Sequence, residues 1–144
     1  MLRAAEARIA TCARLGYCSR VYRTLLVAVG GLIGSVARYL VAGWVQNLNG
    51  SEFPLGTLAV NVSGSFILGM VMTLALERGL LSADVRVLLG TGFCGGYTTM
   101  STFSYETMAL LQYGSVANAV TNVGVTLATC FSAVWLGSLT GRLF

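Results

Sequence analysis

Residues 92–106 read GFCGGYTTMSTFSYE and interrupt a segment that is otherwise apolar enough to cross a membrane. Seven of the nine side chains in residues 97–105 carry a hydroxyl group, Gly95 and Gly96 precede them, and Glu106 follows. Glycine weakens a helix, and channels and transporters break membrane helices where backbone groups face an ion or substrate. The stretch therefore predicts a helix that breaks near residues 95–98, exposes carbonyls of residues 92–97 and restarts with Thr98 as its N-cap.

The composition of the whole chain is that of a membrane protein. Of its 144 residues, 56% are hydrophobic and 10% are charged, whereas about 25% are charged in ordinary soluble domains. The chain has no His, and its four Cys form no CxxC pair, so the sequence does not favour a zinc site, an iron–sulfur site or an enzyme. The few basic residues are not interleaved with aromatic residues, which argues against binding to nucleic acid.

Four apolar segments account for most of the chain: residues 24–45, 55–76, 85–111 and 115–139. Each is long enough for the roughly 20 residues that cross a hydrocarbon core. The connections are short, which favours helices that run alternately up and down. We therefore expect an all-α protein with four transmembrane helices, the third of them broken, forming one domain over residues 24–142.

The charge of the chain is concentrated in its first residues. Residues 1–23 hold five Arg and one Glu, whereas the remainder holds four Arg and four acidic residues. This basic N-terminal extension could be a membrane-surface segment, a poorly ordered tail, or residues that precede the true start. Without it the positive-inside bias of the loops is weak. Either the chain inserts both ways up and pairs as an antiparallel dimer, or the extension sets one orientation.

Two polar residues stand alone in the first two apolar segments. Arg38 follows Gly30 and Gly34 at intervals of four, a spacing that turns it toward a neighbouring helix rather than toward lipid. An intramembrane Arg is usually paired or functional, so it either anchors a helix end or attracts an ion. Asn61 needs a hydrogen-bond partner at membrane depth, and it either joins two helices or donates to an ion in a pore.

Polar side chains also recur at helical spacing in the last two segments. In the fourth segment they form a stripe that either joins helices or lines a hydrated path, made of Asn118, Asn122, Thr126 and Thr129. In the third segment they share one face or the row beside it, namely Thr99, Thr102, Phe103 and Glu106, with Ser101 and Ser104 adjacent. Hydroxyl and amide donors can replace water around an anion, as can the positive edge of a Phe ring. Few fixed positive charges are present to trap the anion, and conduction needs release.

Three motifs in the same order resemble the CrcB/Fluc fluoride channel family: GGLIGSVARYL at 30–40, GTLAVNVSGSFILG at 56–69, and the stretch at 92–106. The resemblance covers residues 24–142. It implies four-helix subunits that assemble as antiparallel, dual-topology homodimers in the lipid bilayer of the bacterial inner membrane. It further implies two pores per dimer that export fluoride passively from the cytoplasm.

The resemblance also implies roles for individual residues. A sodium ion at the dimer interface is held by the backbone carbonyls of Gly95 and Thr98, and Arg38 is structural. The fluoride pore corresponds to Asn61, Met100, Ser101, Thr102, Phe103, Ser104, Glu106, Asn122 and Thr126. Met100 departs from the family, which has a phenylalanine there; we expect Met100 to keep the pore shape and weaken one fluoride position. Whether Tyr97 and Tyr105 face the pore or the interface is left open.

Two other functions compete with a channel. A proton-coupled exporter of the small multidrug resistance type needs a titratable carboxylate deep in a span. The first segment has no acid, and Glu106, the one intramembrane candidate, lies late in the third segment, which argues against this exporter. A non-transporting assembly subunit would explain the small residues of the helices, but not the polar stripes on three of them.

Overall fold

The computed structural model describes the backbone of residues 2–50 and 52–144, and the side chains of residues 19–48, 50 and 52–144. The elements follow in chain order as α1 (Leu2–Asn49), α2 (Leu55–Leu76), α3 (Ala83–Arg86), a π-helical stretch (Val87–Cys94), α4 (Gly95–Tyr97), α5 (Met100–Gln112) and α6 (Val116–Arg142). Within this described part every regular element is helical, which confirms the expected all-α class. Within residues 1–23, the side chains of residues 1–18 lie outside the described part. The three interpretations of this N-terminal extension therefore stay predictions.

Three of the described helices are long and apolar enough to cross a membrane. They are residues Ser19–Leu48 within α1, the whole of α2, and the whole of α6. The third apolar segment is instead divided between residues 83–97, which hold α3, the π-helical stretch and α4, and the separate helix α5. The predicted break near residues 95–98 is therefore confirmed.

The break is not made by the glycine pair. Gly95 has helical dihedrals (φ −62°, ψ −36°), and the helix continues to Tyr97. Thr98 (φ −80°, ψ 160°) and Thr99 (φ −150°, ψ 114°) are the extended residues. The expected cap was also wrong, because Thr99 rather than Thr98 caps α5, its hydroxyl accepting the Thr102 N–H at 3.2 Å. The Thr98 hydroxyl donates back to the Cys94 carbonyl at 3.0 Å.

Glycine serves instead to bring helix backbones close together. A Cβ atom at Gly96 would lie 2.6 Å from the carbonyl oxygen of Gly31 in α1, and one at Gly30 or Gly34 would overlap carbonyls of the π-helical stretch. Gly137 of α6 meets the backbone of α2 in the same way. Such approaches are typical of membrane helices, which associate by close packing. The small-residue spacing in α1 thus packs α1 against the third segment.

Two ion pairs identify one end of the helix bundle. Arg23 of α1 lies 3.5 Å from Asp84 at the start of α3, and Arg142 of α6 lies 2.9 Å from Glu77, which follows α2. Arg20, Arg78 and Arg86 are close in sequence to these paired residues and therefore lie at the same end, which we call the arginine-rich end. At the opposite end, the described connections 52–54 and 113–115 hold one charged side chain, Glu52. The fold therefore separates charge more strongly than the loop-by-loop count indicates.

Candidate ion pathway

Asn61 in α2 holds the break in place. Its Oδ1 accepts the backbone N–H of Thr99 at 2.8 Å, and its Nδ2 donates to the Thr99 carbonyl at 3.1 Å. In a continuing α-helix that N–H would bond to the carbonyl of Gly95, four residues back. Asn61 is 8% exposed, so an interhelical hydrogen bond is confirmed. Its amide nitrogen carries a second N–H, which leaves a donor for another acceptor beside the break.

Arg38 approaches the same break from α1. Its Nη1 donates to the carbonyl of Thr98 at 3.2 Å. The two extended residues are therefore held by one polar side chain from α1 and one from α2. This contact supports the anchoring role of Arg38, and a guanidinium with five donors can serve further acceptors.

Hydroxyl groups cluster where α5 restarts. The Oγ1 of Thr99 donates to the Oγ1 of Thr102 at 3.0 Å and lies 3.2 Å from the Oγ of Ser101. Thr99 is buried, whereas Ser101 and Thr102 are exposed on the surface of the single chain. The predicted pore set omitted Thr99. Its residue type was the available signal, because Thr is a favourable N-cap residue at the start of a helix.

Glu106 lies about two turns after Thr99 along α5 and is bonded to α2. The hydroxyl of Thr57 donates to Oε1 of Glu106 at 2.9 Å. The other carboxylate oxygen, Oε2, is buried and has no hydrogen-bond partner among the described residues. Thr57 was not predicted as a site residue, although it lies four residues before Asn61 and therefore on the same face of α2.

Two adjoining cavities connect these groups. A cleft of about 790 Å³ opens between α1, α2 and α5 and includes Glu52, Thr57 and Glu106 in its wall. A second cavity of about 360 Å³ includes Arg38 and Thr99. The two share Ala42, Thr57 and Thr102 in their linings. These polar groups thus lie in the walls of two adjoining cavities, mostly apolar in lining, that reach from the end marked by Glu52 to the helix break.

The polar stripe of α6 is bonded to α5. Nδ2 of Asn122 donates to the hydroxyl of Thr107 at 2.8 Å, and that hydroxyl donates to the carbonyl of Phe103 at 2.7 Å. Thr126 donates to Oδ1 of Asn122 at 3.4 Å. Asn122 is only 1% exposed. The stripe therefore joins helices within one chain at this turn, and Thr107 is a further residue that the predicted set omitted.

Eight of the nine predicted pore residues fall into two groups, and the ninth, Glu106, is half-buried. Four are buried within the single chain: Asn61, Phe103, Asn122 and Thr126. Four others are exposed on α5: Met100, Ser101, Thr102 and Ser104. One chain therefore does not enclose all of them in a single tunnel.

The two tyrosines of the stretch separate in the same way. Tyr97 is buried, stacks on Phe93 with ring centroids 5.5 Å apart, and lies 3.0 Å from the Ser63 hydroxyl. Tyr105 is 76% exposed. Tyr97 thus belongs to the packing of the chain itself, whereas Tyr105 points away from it.

Comparison with known proteins agrees with this architecture. The family model described as "CrcB-like protein, Camphor Resistance (CrcB)" matches residues 25–138. A protein of Geobacter sulfurreducens named fluoride-specific ion channel FluC is 49% identical over 118 residues, which are 82% of this chain and 95% of the relative. The protein of that name from Geobacter metallireducens is 46% identical over 116 residues (81% and 94%). FluC 1 of Methanosarcina acetivorans is 46% identical over 119 residues (83% and 90%). The chain belongs to the CrcB family.

Proposed function

We propose that this protein is a fluoride-selective channel that exports fluoride passively from the cytoplasm. The observation that carries the proposal is the break at Thr98–Thr99, which Asn61 and Arg38 hold beside a cavity lined by Arg38 and Thr99. A row of hydroxyl donors starts there and continues along α5. The names of the relatives, which are fluoride-specific channels, support fluoride as the ion.

The pore is proposed to use the donors of α2, α5 and α6 in place of the ion's water. Its residues are Asn61, Met100, Ser101, Thr102, Phe103, Ser104, Glu106, Asn122 and Thr126. A small anion is well served by hydroxyl and amide donors and by the positive edge of an aromatic ring. Among the residues that the structure describes, Arg38 is the one cationic side chain that lines the two cavities, and it donates to the Thr98 carbonyl. The pore therefore attracts an anion without a strong trap, as conduction requires.

The channel is proposed to be an antiparallel, dual-topology homodimer in the bacterial inner membrane, with two pores shared between the copies. The exposed hydroxyls of Ser101, Thr102 and Ser104 support a second chain, because polar groups facing lipid are unfavourable. Covering that face of α5 with another copy would supply the missing wall. The bond from Ser104 to the carbonyl of Met100, at 2.9 Å, meets only part of this demand.

A structural sodium ion is proposed at the interface of the two copies. The carbonyls of Gly95 and Thr98 fit a hard cation, since they are neutral oxygen donors beside a helix break. The N–H of Thr99, the helical donor for Gly95, is taken by Asn61, and Gly95 is exposed at the chain surface. The carbonyl of Thr98 accepts from Arg38 but has a second lone pair. The guanidinium opposes a cation electrostatically, so sodium requires a test of its own.

Efflux from proteoliposomes tests the channel. Vesicles that contain the purified protein and are loaded with fluoride should release fluoride, and a fluoride-selective electrode measures the rate. The same vesicles loaded with chloride should retain chloride. Phe103→Ile should abolish fluoride efflux by removing the ring edge, and empty vesicles report the leak. Equal fluoride and chloride release, or normal efflux in the Phe103 variant, would refute the proposed pore. Uptake of an organic cation driven by a pH gradient would instead indicate the proton-coupled exporter.

Binding of sodium is tested separately from flux. The dimer should melt at a higher temperature in detergent with sodium than with a bulky organic cation at equal ionic strength. A melting temperature that does not depend on the cation would contradict the sodium site and leave the pore proposal standing.

A further inference from the structure

Three hydrogen bonds lead from α6 into α5, and all of them donate in the same direction. Thr126 donates to Asn122, Asn122 donates to Thr107, and Thr107 donates to the carbonyl of Phe103. The hydroxyl proton of Thr107 is used within α5, which leaves its oxygen to accept from Asn122. Each donor in this series of hydrogen bonds therefore has an acceptor, and the series ends at the backbone carbonyl of Phe103, the proposed pore phenylalanine.

Helix α5 depends on such bonds for its position. It has 13 residues and follows an extended pair, so it is not the continuation of a longer helix. Its polar links to α2 are the bonds Asn61–Thr99 and Thr57–Glu106, and its link to α6 is Asn122–Thr107. A rotation of α5 about its axis would withdraw Thr107 from Asn122. An amide that is 1% exposed would then lose its partner, which is costly in a buried site.

We propose that Asn122 and Thr107 are positioning residues of the pore, which fix the rotation of α5 and so the direction of the Phe103 ring. Phe103 and Thr107 are four residues apart and lie on the same face of α5. Asn122 would then act through Thr107, in place of the direct contact with the ion that the pore set proposed for it. This inference rests on the proposed fluoride channel, and it specifies how Asn122 of α6 serves the pore.

The unitary fluoride conductance of single channels in planar bilayers tests this role. Unitary conductance reports open pores, so a loss of folded protein does not change it. Asn122→Leu and Thr107→Val should each lower it, and by a similar factor, because each breaks the hydrogen bond that joins α6 to α5. The double variant should be no lower than either single one, because both break the same link. The exchanged pair Asn122→Thr with Thr107→Asn should recover part of the conductance by restoring a donor and an acceptor.

Matched controls lie on the same helix α6. Asn118 is exposed, and the hydroxyl of Thr129 donates at 2.6 Å to the carbonyl of Val125 in its own helix. Asn118→Leu and Thr129→Val should leave the unitary conductance unchanged. The proposal is overturned if Thr107→Val conducts normally while Asn122→Leu does not, since Asn122 would then act directly on the ion. It is also overturned if the losses of the two single variants multiply in the double variant.

Amide hydrogen exchange in detergent separates this inference from the proposed function. Backbone amides of residues 103–110 should exchange faster in Asn122→Leu and in Thr107→Val than in wild type or in the two controls. Unchanged exchange there would overturn the positioning role whatever the conductance. Wild-type protein without any fluoride current would refute the channel proposal, and the exchange rates would still decide whether Asn122 and Thr107 fix α5.

Discussion

Asn61 and Thr99 are joined by two hydrogen bonds, of 2.8 Å from the Thr99 N–H and of 3.1 Å to the Thr99 carbonyl. The side chain of one residue thus takes over both backbone groups of another residue 38 positions later. A helix break at membrane depth leaves backbone groups without partners, and the surrounding helices have to supply them. The carboxamide of Asn61 does so, and it is the reason that the third segment can stop and restart.

Replacement of Asn61 therefore tests what holds the break. Asn61→Leu leaves the N–H and the carbonyl of Thr99 without partners, which should lower the free energy of unfolding by about 2 kcal/mol or more. Asn61→Asp keeps the acceptor for the N–H, but it loses the donor to the Thr99 carbonyl and buries a charge, so it should also lower stability. Thermal melting in detergent measures both, with the exposed Asn118→Leu as the control. Equal melting of Asn61→Leu and the control would show that the break does not depend on this side chain.

The Thr57–Glu106 contact gives a second stability prediction. Thr57→Val removes the donor of Oε1, so both oxygens of a partly buried carboxylate lack partners. Glu106→Gln keeps an acceptor for Thr57 and removes the charge. The free energy of unfolding should therefore be about 1–3 kcal/mol higher for Glu106→Gln than for Thr57→Val. Glu106→Gln should accordingly unfold at the higher temperature. The reverse order in thermal melting would mean that the carboxylate is paired by a group from outside the chain.

Met100 is predicted to be the weak fluoride position of the pore. It is 69% exposed on the single chain and lacks the ring edge of a phenylalanine. Met100→Phe should increase the fluoride efflux rate from proteoliposomes without admitting chloride. Met108 lies on the same helix and is 54% exposed, so Met108→Phe is the matched control and should not change efflux. If the two substitutions raised the efflux rate similarly, the increase would come from a more stable helix and not from a new contact in the pore.

Substitution by alanine should affect thermal stability differently at the two adjacent glycines, Gly95 and Gly96. Gly96→Ala places a Cβ 2.6 Å from the Gly31 carbonyl oxygen and forces α1 away from α4, whereas a Cβ at Gly95 meets nothing within 4 Å in the chain. Overpacking of this kind costs about 1–3 kcal/mol, but alanine at a helical glycine gains up to about 1 kcal/mol. Thermal melting should therefore fall for Gly96→Ala and hold for Gly95→Ala. A Gly95→Ala chain that is folded but elutes as a monomer would indicate that a second copy packs there.

Orientation in the membrane can be read from the C terminus. The arginine-rich end holds the C terminus, and the opposite connections carry no Arg or Lys. The positive-inside rule places that end in the cytoplasm more often, whereas the proposed homodimer also needs inverted copies. C-terminal fusions to a cytoplasmic and to a periplasmic reporter should both be active, the cytoplasmic one more so. Arg78→Gln with Arg86→Gln should bring the two signals closer. Activity of one reporter alone would exclude the dual-topology homodimer.

The sequence predicted the helices and the break for reasons that are local. Apolar segments of membrane length require helices, and the glycines and hydroxyls of residues 92–106 set that stretch apart. The break was attributed to the glycine pair, whereas the extended residues are Thr98 and Thr99. Its cause is the contact of Thr99 with Asn61, which comes from another helix and is absent from the local pattern. Sequence spacing could have added Thr57, which shares a helix face with Asn61.

Other features depend on how the helices are arranged. Thr107 lay beside Glu106 in the sequence, but its importance comes from Asn122, which reaches it from α6. When the arginines of each loop were counted alone, they showed little preference for either end of the helix bundle. They gather at one end because Arg23, about halfway along α1, pairs with Asp84 at the start of α3, and Arg142 at the end of α6 pairs with Glu77, which follows α2.

The π-helical stretch Val87–Cys94 lies just before the break. A π-helix accommodates more residues per turn than an α-helix. Loss of one residue there is therefore offset by a return to α-helical winding, which turns more per residue, and Thr99 would still face Asn61. The side chains are more restricted than the length, because a Cβ at Gly92 would lie 3.1 Å from the Val27 carbonyl oxygen and Cys94 is 1% exposed. The stretch should therefore change in length by one residue more readily than it exchanges these two residues.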